Sequence, residues 1–335
     1  MLFSRLNKLC CSQNLRRCNQ LSLRQLSSAA FLRRSYLYVP SSSDRMLEKS
    51  RSTGSDIIIY DLEDSISPVP TDKESARTRL RSFLGREDLP DAEHIAVRVN
   101  DISTPFFQDD ISQIISMPNV RSLILPKIHS AEDLDFVSDA VNATAAQCPR
   151  NAPLNIIPSI ESAKGMWNLG NIARWNSKHT FSSGGKLSAL LFAAEDYCAD
   201  TSIIRSSTRR ELLFTRSQIV IAAKAFGLDA VDMVCVNYRD LEDLRDECVD
   251  GRQLGFTGKQ AIHPTQVQVI QSTFVPTQQE IVRAAKILRE MQRAHAAEKG
   301  AVGLDGEMVD APMLKQAQKT ITLAAAAGLP IPHVE

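Results

Sequence analysis

The chain has 335 residues, 43% of them hydrophobic, which is enough to bury a large core as one barrel-sized domain or two smaller ones. No apolar run approaches the roughly 18 residues that a helical membrane span requires. The 39 Lys and Arg balance 39 Asp and Glu, but unevenly: seven basic residues precede the first acidic one, Asp44.

That leading stretch carries Arg5, Lys8, Arg16, Arg17, Arg24, Arg33 and Arg34 among serines, leucines and phenylalanines. The profile predicts a mitochondrial transit peptide over residues 1–34, removed between about residues 25 and 35, and hence a matrix location. A basic arm that touches nucleic acid is the competing reading, disfavoured by the apolar residues interleaved with the arginines. Without those seven cations the rest of the chain has seven more acids than bases, which argues against generalised nucleic-acid binding. Cys10, Cys11 and Cys18 fall in the leader, and Cys148, Cys198, Cys235 and Cys248 have no CxxC spacing, so neither a zinc site nor a disulfide framework is expected.

Beyond the leader, short apolar runs alternate with helix-like stretches. The predicted strands are 36–40, 56–60, 94–100, 122–127, 154–160, 187–194, 230–236 and 256–262. Helices are expected between them at 44–52, 72–84, 106–117, 130–148, 163–174, 209–226 and 241–254, the sixth strongly amphipathic and stopped by Gly227. Eight strand-helix alternations predict an α/β fold, a (β/α)8 TIM barrel over 35–276, rather than an open doubly wound sheet. Residues 277–335 exceed what a barrel needs and read as a C-terminal helical extension, free to act as a lid or to pack on a neighbour.

Two strands end in acid. The run 187–194 stops at Glu195-Asp196, and 154–160 stops at Glu161, thirty-five residues earlier. Barrel chemistry sits at strand exits, and if these strands are neighbours, Glu161 and Asp196 can place oxygens on one hard cation such as Mg2+. Each acid could instead cap a helix or pair with an arginine. Glu195 points away from Asp196 if the strand persists, and then either supports a metal ligand from behind or is structural.

In Asp61-Leu62-Glu63-Asp64 the period of two puts Asp61 and Glu63 on one face, where crowded carboxylates need a cation or an arginine unless the turn is simply solvated. Arg98 lies within an apolar strand and needs an anionic partner, with a substrate role favoured over a structural ion pair. Lys259 lacks a P-loop context, His263 is more often a packed residue than an acid or base, and Gly184-Gly185 reads as a turn. Asp310, before Pro312, has the composition of a helix N-cap.

Taken in order, Tyr38-Val39-Pro40, Asp61-Leu62-Glu63-Asp64, Val97-Arg98-Val99-Asn100, Leu125-Pro126-Lys127, Glu161-Ser162, Glu195-Asp196-Tyr197, Gly258-Lys259-Gln260-Ala261-Ile262-His263-Pro264 and Gly306-Glu307-Met308-Val309-Asp310 resemble the citrate lyase β-subunit/malyl-CoA lyase family over residues 36–325. The resemblance implies a Mg2+-dependent carbon-carbon lyase on a TIM barrel, a homotrimer acting on an acyl-CoA. The implied reaction is cleavage of (S)-citramalyl-CoA to pyruvate and acetyl-CoA, with a malate synthase-like side activity.

By the same resemblance Glu161 and Asp196 are the metal ligands, Arg98 binds the acyl oxygen, Tyr38, Arg45 and Lys49 meet the CoA portion, and Ile262 and His263 line its pocket. Asp310 is then the acid/base carried on a neighbouring subunit's lid. Malyl-CoA cleavage or thioester hydrolysis is the alternative, and a non-catalytic CoA-binding protein a second. The family pattern is departed from at Ser41-Ser42-Ser43, at Arg45 in place of lysine, and at Ala193-Ala194 in place of glycines.

Overall fold

The apolar runs become parallel strands: β1 (Ser35–Pro40), β2 (Ile57–Asp61), β3 (Ile95–Arg98), β4 (Ser122–Leu125), β5 (Asn155–Ile160), β6 (Lys186–Leu187), β7 (Ala189–Phe192), β8 (Asp229–Asp232) and β9 (Gly258–Ala261). The computed structural model describes residues 31–148, 150, 152–297 and 300–332. The transit peptide expected over 1–34 therefore lies almost wholly outside the described residues.

The strands lie side by side in the order β4-β3-β2-β1-β9-β8-β7-β5, and β4 also pairs with β5, which closes the sheet on itself. β6 and β7 run in succession along β5, at Asn155↔Lys186 and then Ile160↔Phe192, and so fill one position. The result is a closed parallel barrel of eight strand positions ringed by helices, the TIM-barrel fold that the alternation predicts.

Alternation along each strand splits the core into two layers. Tyr36, Ile57, Ile59, Ala96, Ile124, Ile157, Leu191 and Val231 fill the barrel interior. Their chain neighbours Leu37, Ile58, Tyr60, Val97, Leu123, Ile156 and Leu190 pack outward beneath the helices. With both faces buried, period-two polarity disappears, which is why these strands read as continuous apolar runs.

The connecting helices start where short polar side chains can cap them. Ser43 caps α1 (Asp44–Ser50) by accepting from the Met46 N–H, and Pro70 opens α2 (Pro70–Leu84). After α3 (Phe107–Ile115), Ser130 and Asp133 form a capping box on α4 (Ala131–Ala145). The stretch expected as one helix over 163–174 is broken at Asn168 into α5 (Ala163–Trp167) and α6 (Leu169–Ala173). Following α7 (Phe181–Gly184), Gly185 does more than turn the chain: at φ 81°, a Cβ there would lie 2.6 Å from Ile156 Cδ1, so the glycine lets this segment lie against β5.

α8 (Ala194–Thr201), α9 (Leu213–Ala225), α10 (Leu241–Leu254) and α11 (Thr265–Thr273) complete the ring. α9 is less one-sided than expected, since Phe214 and Ile221 are exposed opposite buried Ile219 and Ala223. β8 stops at Asp232, four residues before the predicted end.

The described residues divide into two compact units, the barrel from Arg33 to Phe274 and a second formed chiefly by the chain from Val275 onward. In the second, α12 (Gln278–Ala296) begins with a capping box of Thr277 and Glu280, and α13 (Ala311–Ala326) packs on it around Ile287, Met291, Val309 and Ala317. Between these helices β10 (Val302–Leu304) and β11 (Glu307–Val309) form an unanticipated antiparallel hairpin. Its turn residues Asp305 and Gly306 have φ 50° and 85°, the mirror-image turn for which Asp-Gly is the sequence signal. No helix among the described residues is long and apolar enough to cross a membrane.

Candidate active site

Strand register assembles the first half of the site. β2 ends at Asp61 and β3 at Arg98, which are partners in the ladder. Their side chains meet as a fork, Arg98 Nε and Nη2 each donating at 2.7 Å to the two Asp61 oxygens. Arg98 Nη1 reaches Glu63 Oε2 at 2.9 Å and donates to Asp64 Oδ2 at 3.1 Å. The arginine thus holds the acidic turn together, one of the arrangements open to that motif. Burial works against both ions of the fork, yet their attraction outweighs it, holding the Asp61 carboxyl below the usual carboxylate range and Arg98 firmly protonated.

The Tyr38 ring lies 4.9 Å from the Arg98 guanidinium carbon, a cation-π contact from β1. Tyr38 in turn donates its hydroxyl to Gln260 Oε1 at 3.1 Å, while the Gln260 amide donates to the Phe192 and Asp232 carbonyls at 2.8 and 3.0 Å. Gln260 therefore ties β9 to β1, β7 and β8 at one level.

The second half is Glu161 and Asp196. Glu161 directly follows Ile160, whose ladder partner Phe192 ends β7, so the two acids leave neighbouring strands. Asp196 is reached through a helix rather than a continued strand: α8 starts at Ala194, and helical geometry, not period two, separates Glu195 from Asp196. Glu195 pairs with Arg205.

Glu161 is 7% exposed and accepts from the Lys127 N–H at 2.9 Å, where Lys127 adopts φ 53°. A lysine in the left-handed region is strained, and here the strain aims its N–H at the carboxylate. Burial, aided by the charge of Asp196, pushes the Glu161 carboxyl up to about 7 against hydrogen bonds from Ser159 and Lys127. Asp196 is also raised, by burial and then by Asp64. Glu63 rises to about 7, burial prevailing over the attraction of Arg98.

Neither Glu161 nor Asp196 forms an ion pair with a cationic side chain among the described residues. Two carboxylates raised by burial, aimed into one hollow and left without a cationic partner, are a donor set that fits a hard divalent cation.

Tyr38, Arg98, Glu161, Asp196, Gln260 and Ile262 all line one cavity of about 400 Å³ at the strand exits. A larger hollow of about 560 Å³ lies between α1 and α2, but its Asp44 and Glu48 are already paired with Arg79 and Arg86. It carries no free chemistry.

Three expected residues of the barrel, Arg45, Lys49 and His263, do not line the cavity. Arg45 and Lys49 are exposed on α1, one helical turn apart, with no ion pair among the described residues. His263 stacks on Tyr238 at 5.0 Å and its Nδ1 lies 2.8 Å from Thr265 Oγ1, a packed histidine. Asp310 belongs to the C-terminal unit, where its exposed carboxylate caps α13 by accepting from the Met313 N–H at 3.5 Å. Gln260 and Lys127 were not singled out by sequence. A polar residue within the β9 run was a signal for the first; nothing local foretells the backbone of the second.

Residues 34–264 match the family model described as HpcH/HpaI aldolase/citrate lyase. The chain belongs to this family. A second model, C-C bond lyase of the TIM-barrel fold, matches residues 201–329, and the protein is a carbon-carbon lyase. The chain is 34% identical to the human protein "Citramalyl-CoA lyase, mitochondrial" over 87% of its length and 85% of the relative's. It is 31% identical to a (3S)-malyl-CoA thioesterase of Cereibacter sphaeroides, over 88% and 95%. Among solved structures, Mycobacterium tuberculosis CitE in complex with magnesium, acetoacetate and coenzyme A superposes with a TM-score of 0.68 at 27% identity, over 90% of this chain and 99% of that one.

Proposed function

We propose that this family member is a Mg2+-dependent lyase that cleaves (S)-citramalyl-CoA to pyruvate and acetyl-CoA, and that it works in the mitochondrial matrix as a homotrimer. The observation that carries the reading is the pairing, in one cavity, of two unneutralised carboxylates with an arginine already fixed in its charged state. Glu161 and Asp196 would hold the ion. When bound, Mg2+ supplies Lewis acidity that makes the substrate's 3-hydroxyl easier to deprotonate.

The chain's own groups do the rest. Among the described residues Arg98 gives Nε and one Nη2 N–H to Asp61 and turns Nη1 to Asp64 and Glu63, leaving one Nη2 N–H for a substrate oxygen. As the carbon-carbon bond breaks, its electron pair passes to the thioester, and Arg98 holds the developing enolate oxygen. Tyr38, braced by Gln260, keeps Arg98 at the depth where that oxygen forms. Asp310, carried by the C-terminal unit of a neighbouring copy, delivers the proton that converts the enolate to acetyl-CoA, and the proton lost from the 3-hydroxyl passes to solvent water, so that the two transfers cancel. Arg45 and Lys49, on one face of α1 and without an ion pair among the described residues, attract the phosphates of CoA, and Ile262 with His263 flanks its acyl arm.

The resemblance to human citramalyl-CoA lyase supports the substrate and the location. Similarity to a malyl-CoA thioesterase supports a second reading, cleavage or hydrolysis of malyl-CoA. The discriminating experiment incubates the purified protein with Mg2+ and a panel of 3-hydroxyacyl-CoA thioesters, products being identified by mass. Pyruvate and acetyl-CoA from citramalyl-CoA are expected; free CoA with intact hydroxy acid would replace the lyase reading by hydrolysis. A silent CoA-binding protein would release neither.

A further inference from the structure

The first turn of α8 carries Asp196, yet its N-cap, Ala193, has no side chain that could cap it. A turn without a cap leaves its donors unheld and frays readily. What holds it comes instead from the loop between α8 and α9. Arg205 pairs with Glu195, the residue beside Asp196, and donates to the Val234 carbonyl and to Glu247 Oε1 at 3.0 Å each. Glu195 and Val234 both line the cavity. The far partner, Glu247, is buried and lies 2.8 Å from Lys259 Nζ on β9, so the arginine is anchored on an immobile charge.

The loop is pinned on the other side of Arg205 as well. Arg209, in a left-handed conformation, pairs with Asp246 of α10 and lies 3.5 Å from Asp250. The Ser206 N–H and hydroxyl both donate to the Glu211 carboxylate at 2.7 Å.

We infer that Arg205 is a positioning residue for the metal site: by bracing Glu195 against Val234 and Glu247, it fixes the first turn of α8 and with it the direction in which Asp196 presents its carboxylate. Arg205 touches neither substrate nor ion and acts only through Glu195. The inference rests on the proposed role of Asp196 as a metal ligand.

The test is calorimetric titration of the full-length protein with Mg2+ alone, comparing wild type with Arg205→Met, Arg205→Lys, Glu195→Gln and Asp196→Asn. Arg205→Met and Glu195→Gln should each raise the dissociation constant about tenfold, as loss of a ligand-orienting partner does elsewhere. Combining them should add little to either alone, and Arg205→Lys should recover part of the loss. Glu195 is half exposed, so its isosteric variant reports even if Arg205→Met fails to fold. A lowered melting temperature with wild-type Mg2+ affinity in Glu195→Gln, while Asp196→Asn abolishes binding, would overturn the inference and leave the metal site standing. Unchanged affinity in Asp196→Asn itself would overturn both.

Discussion

Glu161 is a carboxyl made expensive to ionise so that something else can use its charge. Burial and the nearby Asp196 raise it from its ordinary 4.5 to about 7. A folded-state value above the unfolded one means that Glu161 takes up a proton on folding. The associated stability is complete below about pH 4.5 and is lost as pH rises through about 7. In EDTA at pH 8, Glu161→Gln should therefore be more stable than wild type by about 3 kcal/mol, the advantage shrinking at pH 5. Urea unfolding at both pH values checks this, and an equal difference at both would remove the cause assigned to it.

Because a ligand carboxylate must be deprotonated, Mg2+ affinity should also fall about tenfold per pH unit below 7 and level off above it. In Glu161→Gln both the affinity and its slope should weaken. The role proposed for Asp310 lies at a different step. Asp310→Asn should keep Mg2+ and CoA affinities within about twofold of wild type while turnover drops at least a hundredfold. Calorimetry beside a steady-state assay separates the two, and wild-type turnover would take Asp310 out of the chemistry.

At the level of elements, the site depends on strands ending in step. β5 delivers Glu161, and its Ile156 is the atom group against which Gly185 closes. Gly185→Ala would force a methyl into that contact at a φ that L residues avoid. The expected cost is about 2–4 kcal/mol, combining overpacking with backbone strain, read as a lower urea midpoint at unchanged slope. An unaffected midpoint would mean that the β5–β6 segment gives way freely. The short connections matter equally. The apolar run expected as a strand to residue 194 gives way to α8 at Ala194, and that switch lets Glu195 pair with Arg205 while both it and Asp196 line the cavity.

For the molecule as a whole, binding of the ion to the folded barrel and not to the unfolded chain should raise its melting temperature. At a hundred times the dissociation constant the gain is about 2.7 kcal/mol. For a barrel-sized domain that corresponds to about 5–10 °C. Differential scanning calorimetry with and without Mg2+ should show the shift in wild type and not in Asp196→Asn; an equal shift in both would place the bound ion elsewhere.

The eight strand positions of the barrel, the barrel class and the acids at the strand exits are legible in the chain by itself, because each depends on local period and on runs of residues buried on both faces. The order of short motifs was likewise enough to indicate the family. Which acids are neutralised was not legible. Asp61, Glu63 and Asp64 read as strongly acidic as Glu161 and Asp196, yet the first three are claimed by Arg98 and the last two form no ion pair among the described residues. That division is set by which strands close beside which and in what register, a matter of contacts between residues tens of positions apart. No local pattern records such contacts, so only the closed barrel could decide it.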